Sequence, residues 1–217
     1  MKHAIIIRLK YNDSPEFEWR LAYFASMCLP RYKDQTDQNF DLIILCNPIH
    51  DERIKSLWKG RIKTIHAEVL ISGDPDYNRN SGESNSVEPF TYKLDYEIQT
   101  RVDSDDIVSL DFVECIHGYF KKENKLTLLA FKPMRFNVHN LRIYHIYPKD
   151  NAYRKSQFLS LYNPKKDTFI YERGHRTWDY VIRKMGGQTK IVKFGYCYVS
   201  YHYHNASTRI QPTDVMV

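Results

Sequence analysis

Thr100-Arg101-Val102-Asp103-Ser104-Asp105-Asp106 decides how the chain is read. Ile98, Thr100 and Val102 alternate as a half-buried strand should, and that strand runs directly into three carboxylates within four residues. Carboxylates so close repel one another, so folding must supply a cation, basic neighbours or full solvation. Hard oxygen ligands select Mg²⁺ or Mn²⁺, and an ion held by one or two carboxylates keeps positions open for a diphosphate. An acidic turn leading into the next helix, with Ser109 as its cap, fits the spacing equally well. An EF-hand does not fit, because the sixth loop position counted from Asp103 is Val108 rather than glycine. A haloacid-dehalogenase-type phosphatase would carry its aspartates after the first strand, where this chain has none of that pattern.

Upstream, Ala4–Leu9 is a short apolar run that reads as a buried strand. Ser14-Pro15 opens a helix whose Phe17, Leu21, Phe24, Ala25 and Cys28 recur at helical spacing, with Leu29-Pro30 expected to end it. Leu42–Cys46 is a second strand stopped by Asn47-Pro48, and Asp51–Trp58 is a short helix that turns Ile54, Leu57 and Trp58 inward before Gly60. A third strand is expected within Ile62–Ile71. This β-α-β-α-β order predicts a parallel sheet covered by helices, with ligands beyond the carboxyl ends of its strands, where Asp103–Asp106 falls. Ser72–Glu88, nearly devoid of apolar residues, reads as a loop, and Phe90–Tyr96 as a helical turn.

Downstream, Ser109 opens a helix with Phe112, Val113, Ile116, Tyr119 and Phe120 on one stripe. Leu126–Phe131, Arg135–Val138 and Leu141–Tyr147 then read as strands with short polar connections, which predicts antiparallel or mixed pairing. Thr177–Met185 is a helix burying Trp178, Val181, Ile182 and Met185 and closed by Gly186-Gly187, followed by strands at Ile191–Phe194 and Tyr196–Tyr203. On a period of two, Tyr198, Ser200, His202 and His204 share a face. His3, His50, His66, His117, His139 and His145 lack ligand-type spacing and read as structural.

The strand ending in Arg-x-Asp-x-Asp-Asp resembles the DxD motif of GT-A glycosyltransferases, whose Rossmann-like donor half joins a mixed-sheet acceptor half. More specifically, Ile7-Arg8-Leu9, Trp19-Arg20-Leu21 with Phe24, Cys28-Leu29-Pro30, Gln35, Asn39-Phe40-Asp41 and Thr100–Asp106 are similar to the rhamnosyltransferase family. The likeness is good over the first half and patchy over the second. It implies one α/β domain of GT-A fold with a mixed central sheet flanked by helices, about 1–106 forming the donor half and about 107–217 the acceptor half. It implies that Asp103 and Asp105 meet the metal and the donor's ribose or diphosphate, that Asp106 supports them, and that Arg8 and Arg101 lie near the nucleotide. His202-Tyr203-His204-Asn205-Ala206-Ser207 looks like the family's His-x-x-Asn-x-Ser ending, which makes His202, or else His204, a metal ligand. An inverting transferase also needs a carboxylate to take the acceptor's proton. Asp179 is the first candidate and Glu172 the second, although the usual Glu-Asp pair is replaced by Trp178-Asp179. An N-terminal helix aspartate also serves simply to complement the helix dipole.

The remaining composition narrows the classes. A chain of 217 residues suits one domain and removes roughly 70–75% of its unfolded surface from water. A formal charge of +6 favours an anionic partner, but the basic residues are dispersed among acidic ones, so no nucleic-acid partner is expected. Seventeen tyrosines suit sugar-binding grooves as well as a core. Cys28, Cys46, Cys115 and Cys197 are scattered through apolar stretches and read as reduced thiols. No stretch reaches the ~18 apolar residues of a membrane span, so a cytoplasmic location is expected. The expected activity is transfer of a hexose or deoxyhexose, rhamnose included, from a UDP- or dTDP-linked donor to a glycan acceptor with Mn²⁺ or Mg²⁺. The chain also fits one domain of a larger glycosyltransferase. The competing classes are a glycan- or nucleic-acid-binding module without catalysis and a metal-dependent nucleotidyltransferase or phosphohydrolase.

Overall fold

The computed structural model describes residues 1–9, 15–66, 94–145, 158–163, 165–166, 168–171, 178–193, 195–201 and 215–216. The 72–88 segment, Ser14, Glu172, His202 and His204 lie outside the described residues. Strands β1 (His3–Arg8), β2 (Asp41–Cys46), β3 (Ile62–His66) and β4 (Ile98–Asp103) are parallel, as the β-α-β-α-β order requires, with α3 (Asp51–Ser56) between β2 and β3. They continue into a seven-stranded sheet ordered β10-β6-β9-β4-β1-β2-β3, where β6 is Thr127–Phe131, β9 is Leu159–Tyr162 and β10 is Gln188–Val192. Because β9 runs antiparallel to both β4 and β6, the sheet is mixed. A second sheet, β12-β8-β7-β11-β5, joins β5 (Ile107–Val108), β7 (Met134–Asn137), β8 (Arg142–His145), β11 (Cys197–Tyr201) and β12 (Val215–Met216).

Strand alternation sorts side chains into two cores. Ile5 and Ile7 of β1, with Ile98 and Val102 of β4, enter the core that holds α1 (Pro15–Tyr23) and α4 (Phe112–Phe120). Ala4 and Ile6 enter the other, with Phe169, Ile170 and Trp178 and Ile182 of α5 (Trp178–Lys184). Each large apolar side chain so buried stabilises the fold by about 1.5–3 kcal/mol. Covering on both faces explains why β1 is apolar from Ala4 to Ile7 rather than alternating.

Several sequence expectations need correction. Pro30 does not end the first helix. Instead α1 passes through a π-turn, Phe24–Cys28, into α2 (Leu29–Lys33). The Leu29 N–H reaches the Phe24 carbonyl five residues back, and this looser winding accommodates a proline, which has no N–H and crowds the preceding turn. Ser109 is not the cap of α4, whose N-cap is Asp111 without a side-chain bond. One N–H of its first turn is met from a distance: the Val113 N–H donates to Gln35 Oε1 at 2.9 Å, while Gln35 Nε2 donates to the carbonyls of Ser109 at 2.5 Å and Arg31 at 2.9 Å. Tyr119 sits on the margin of the expected stripe, 37% exposed, and Met185 at the end of α5 is exposed rather than buried. β10 begins at Gln188, directly after Gly187, where any Cβ would come within 2.7 Å of the Leu126 carbonyl oxygen. That close approach lets the chain leave α5 straight into the sheet.

A polar chain, part-buried at its Asp37 end and buried at Thr100 and Ser160, runs from Asp37 to the strands. His117 Nδ1 meets Asp37 Oδ2 at 2.7 Å, His117 Nε2 meets His3 Nδ1 at 3.0 Å, His3 Nε2 meets Thr100 Oγ1 at 2.8 Å, and Thr100 Oγ1 meets Ser160 Oγ at 2.8 Å. With Asp37 an acceptor, one consistent ordering has each imidazole donate through Nδ1 and Thr100 donate to His3. Burial, reinforced by His117, holds the His3 pKa well below its ordinary 6.5. The unfolded chain therefore binds this proton first as pH falls, so the His3 contribution is complete above about pH 6.5 and is lost on acidification. Urea unfolding at neutral and mildly acid pH is expected to show a steeper loss in wild type than in His3→Asn, by up to roughly 1.4 kcal/mol per pH unit. A second expectation concerns the remote cap: Gln35→Ala should cost about 1–2 kcal/mol in the same assay, while Ser109→Ala should cost less.

Candidate functional site

The carboxyl ends of β1 and β4 lie side by side, with Arg8 in register with Asp103 and Ile6 with Arg101. Gln99, Arg101 and Asp103 alternate onto the same face of β4, so Arg101 stands directly below Asp103. Past Asp103 the backbone turns sharply, the Asp106 N–H donating to the Asp103 carbonyl at 3.1 Å, and β5 then pairs antiparallel with β11. Asp and Ser suit such a turn because their side chains take over backbone hydrogen bonds.

The three carboxylates have three different environments. Asp106 is buried, and its Oδ1 accepts the Ser200 N–H at 3.1 Å, prolonging the β5–β11 ladder where a backbone carbonyl would otherwise serve. Asp105 is also buried, and its Oδ2 lies 3.4 Å from Nη1 of Arg20, which reaches over from α1 and also donates to Ser104 Oγ at 3.3 Å. Asp103 alone of the three keeps substantial access to solvent, its side chain being 31% exposed. Its Oδ1 lies 3.9 Å from Nη2 of Arg101, a guanidinium whose residue is only 5% exposed. Tyr171 covers Arg101, whose Cζ is 4.4 Å from the ring centroid.

The first helix braces this turn from the opposite face. Besides Arg20, the Cys28 thiol contacts the Ser104 carbonyl at 3.5 Å and Tyr23 Oη shares a 2.9 Å hydrogen bond with Ser200 Oγ. Burial pushes the Cys28 thiol well above its ordinary range, which marks it as a packing residue rather than a nucleophile. Burial likewise raises the Tyr23 phenol, with the nearby Asp106 and Asp105 carboxylates adding to the effect.

Thus the structure brings Arg8, Arg101, Asp103, Asp105 and Asp106 together at one sheet edge. Asp179 lies elsewhere: it opens α5 against β6 and β10, with β9 between β6 and β4 in sheet order, and its Oδ2 binds Arg183 Nη2 at 2.6 Å. Trp178 beside it is fully buried, its indole donating to the Ile170 carbonyl at 2.9 Å. Arg20 and Tyr171 carry parts that sequence reasoning did not assign. Arg20 had a signal in the Trp19-Arg20-Leu21 block, whereas Tyr171 had none.

Among the described residues no three His, Cys, Asp or Glu side chains converge to hold a metal. Asp103 nevertheless offers an accessible hard oxygen at the strand edge, and Mg²⁺ commonly takes one or two carboxylates with the rest of its shell from phosphates and water.

Comparison with known proteins bears on the family and the fold. The family model described as Putative rhamnosyl transferase matches residues 7–213. No curated protein sequence matches the chain. Among solved structures, residues 1–349 of S. aureus TarS in complex with UDP-GlcNAc align with a TM-score of 0.55 at 12% identity, covering 98% of this chain and 62% of that one. The same TarS fragment without that ligand gives a TM-score of 0.55 at 13% identity, covering 92% and 60%. Apo mouse xyloside xylosyltransferase 1 gives 0.52 at 10% identity, covering 88% and 85%. At such identities the likeness concerns the fold, which is GT-A, and the chain spans about 60% of the TarS fragment's length.

The division of labour among the carboxylates is open to measurement. Asp106→Asn, which keeps an oxygen acceptor for the Ser200 N–H, is expected to lose less than about 1 kcal/mol, whereas Asp106→Ala should lose about 2 kcal/mol in urea unfolding. Equal losses would mean that the charge matters rather than the ladder bond.

Proposed function

The chain belongs to the rhamnosyltransferase family, and from that premise we propose that it transfers a sugar from a nucleoside-diphosphate donor to a glycan hydroxyl. The observation that carries this reading is the pairing of half-exposed Asp103 with buried Arg101 at the carboxyl edge of β4, beside Arg8. A diphosphate set against that edge meets guanidinium donors suited to phosphate oxygens, and Asp103 would hold Mn²⁺ or Mg²⁺. When bound, the ion would neutralise charge that grows on the departing diphosphate. In the transfer the bond between the anomeric carbon and the phosphate oxygen breaks, the acceptor oxygen bonds to that carbon, and the acceptor's proton passes to a carboxylate. Asp179 and Glu172 remain the proposed bases, with inversion the proposed outcome. The Arg183 contact would fix the Asp179 carboxylate in direction. His202 or His204 is proposed as a further metal ligand.

TarS crystallised with UDP-GlcNAc and with UDP makes uridine nucleotides the first probes. Rhamnose as the sugar follows from the family description, so dTDP- and UDP-linked rhamnose are the first donors for turnover. Calorimetry of the full chain with UDP or dTDP is expected to show binding in Mn²⁺ or Mg²⁺, weakened at least tenfold by EDTA or by Asp103→Ala. Absence of nucleotide binding under every one of these conditions would overturn the reading.

A further inference from the structure

We infer that Tyr171 is a positioning residue for the donor's diphosphate, acting through Arg101. The inference rests on the donor site lying at the β4 edge, as proposed above. A guanidinium as enclosed as that of Arg101 needs compensation for lost water, and the described residues supply little of it. Its ion contact with Asp103 is long at 3.9 Å, and its Nε has no hydrogen-bond partner among the described residues. What holds it is the ring of Tyr171, 4.4 Å from Cζ, whose π face attracts a cation without using any of its N–H donors. The arginine is thereby fixed while its Nε donor is left unmatched among the described residues, which suits a group that must meet an incoming anion.

Tyr171 is itself tied to the sheet edge. Its hydroxyl lies 3.3 Å from the Ile6 carbonyl on β1 and 3.2 Å from the Val102 carbonyl on β4, to which it donates. The segment leading to it is docked on the same strand: Gln99 donates through Nε2 to the Thr168 carbonyl at 2.9 Å, and its Oε1 accepts the Ile170 N–H at 3.0 Å. One amide side chain on β4 thus fixes the segment, and the ring that the segment carries fixes the arginine two residues along that strand.

The test uses the full chain, UDP as probe and saturating Mn²⁺. Tyr171→Phe keeps the ring and is expected to bind UDP within about threefold of wild type. Tyr171→Leu removes the ring and should weaken UDP about tenfold, the scale of a desolvated cation–π contact. Because the ring acts through the guanidinium, Arg101→Gln combined with Tyr171→Leu should bind no more weakly than Arg101→Gln alone. Losses that multiply in the double variant, or a Tyr171→Leu protein that binds like wild type, overturn the inference and leave the functional reading intact. A wild type that binds no UDP removes both. Should Tyr171→Leu fail to fold, NMR of the wild type decides: the ring-current-shifted δ-methylene protons of Arg101 are expected to move on UDP addition, and unchanged shifts overturn the inference.

Discussion

Like charges cannot share a buried turn unless each is compensated separately, and the fold around Asp103–Asp106 is organised by that constraint. Two of the three carboxylates are under cover, where an uncompensated charge costs several kcal/mol. The compensation comes from three directions: a guanidinium from the first helix for Asp105, a backbone N–H from β11 for Asp106, and Arg101 with solvent for Asp103. The turn therefore requires the first helix, the second sheet and the parallel strands to be in place together. It joins parts of the chain that have no sequence proximity.

Strand geometry then decides which face each charge serves. Arg101 and Asp103 share a face of β4 because they are two residues apart, and parallel register sets Arg8 beside Asp103. Arg20 approaches from the helix-covered face, on the far side of the same strand edge. Its contact with Asp105 leaves Asp103 with Arg8 and Arg101 on the other face at the described ends of β1 and β4, a balance favourable to an anion. The acidic appearance of the motif in sequence thus gives way to a locally cationic edge in three dimensions.

What the sequence discloses and what it hides follow from the range of the interactions concerned. The β-α-β-α-β order was legible because Ile5–Ile7 and Leu42–Cys46 are contiguous apolar runs, buried on both faces, that need no distant information. The carboxylate cluster was legible for the same reason. Pro30 misled because its usual effect is local, whereas the π-turn that absorbs it is stabilised by contacts with Ser104 and β5. Ser109 looked like a cap because capping is usually local, yet Gln35 performs that task from 78 residues away. Tyr171 was one tyrosine among 17, and nothing in its neighbourhood distinguishes it until the sheet brings Arg101 to its ring.

The catalytic carboxylate is a different kind of problem. A first-turn helix aspartate is favoured by the helix dipole whether or not it does chemistry, so its presence at 179 cannot separate the two roles. Its ion pair with Arg183 adds a physical distinction. The pair holds one carboxylate oxygen, Oδ2, against the guanidinium before any acceptor arrives. A base acting through that oxygen would need the arginine contact to give way to the acceptor hydroxyl. Arg183 is exposed on the outer side of α5, where water can replace it, so the fold leaves that exchange sterically open.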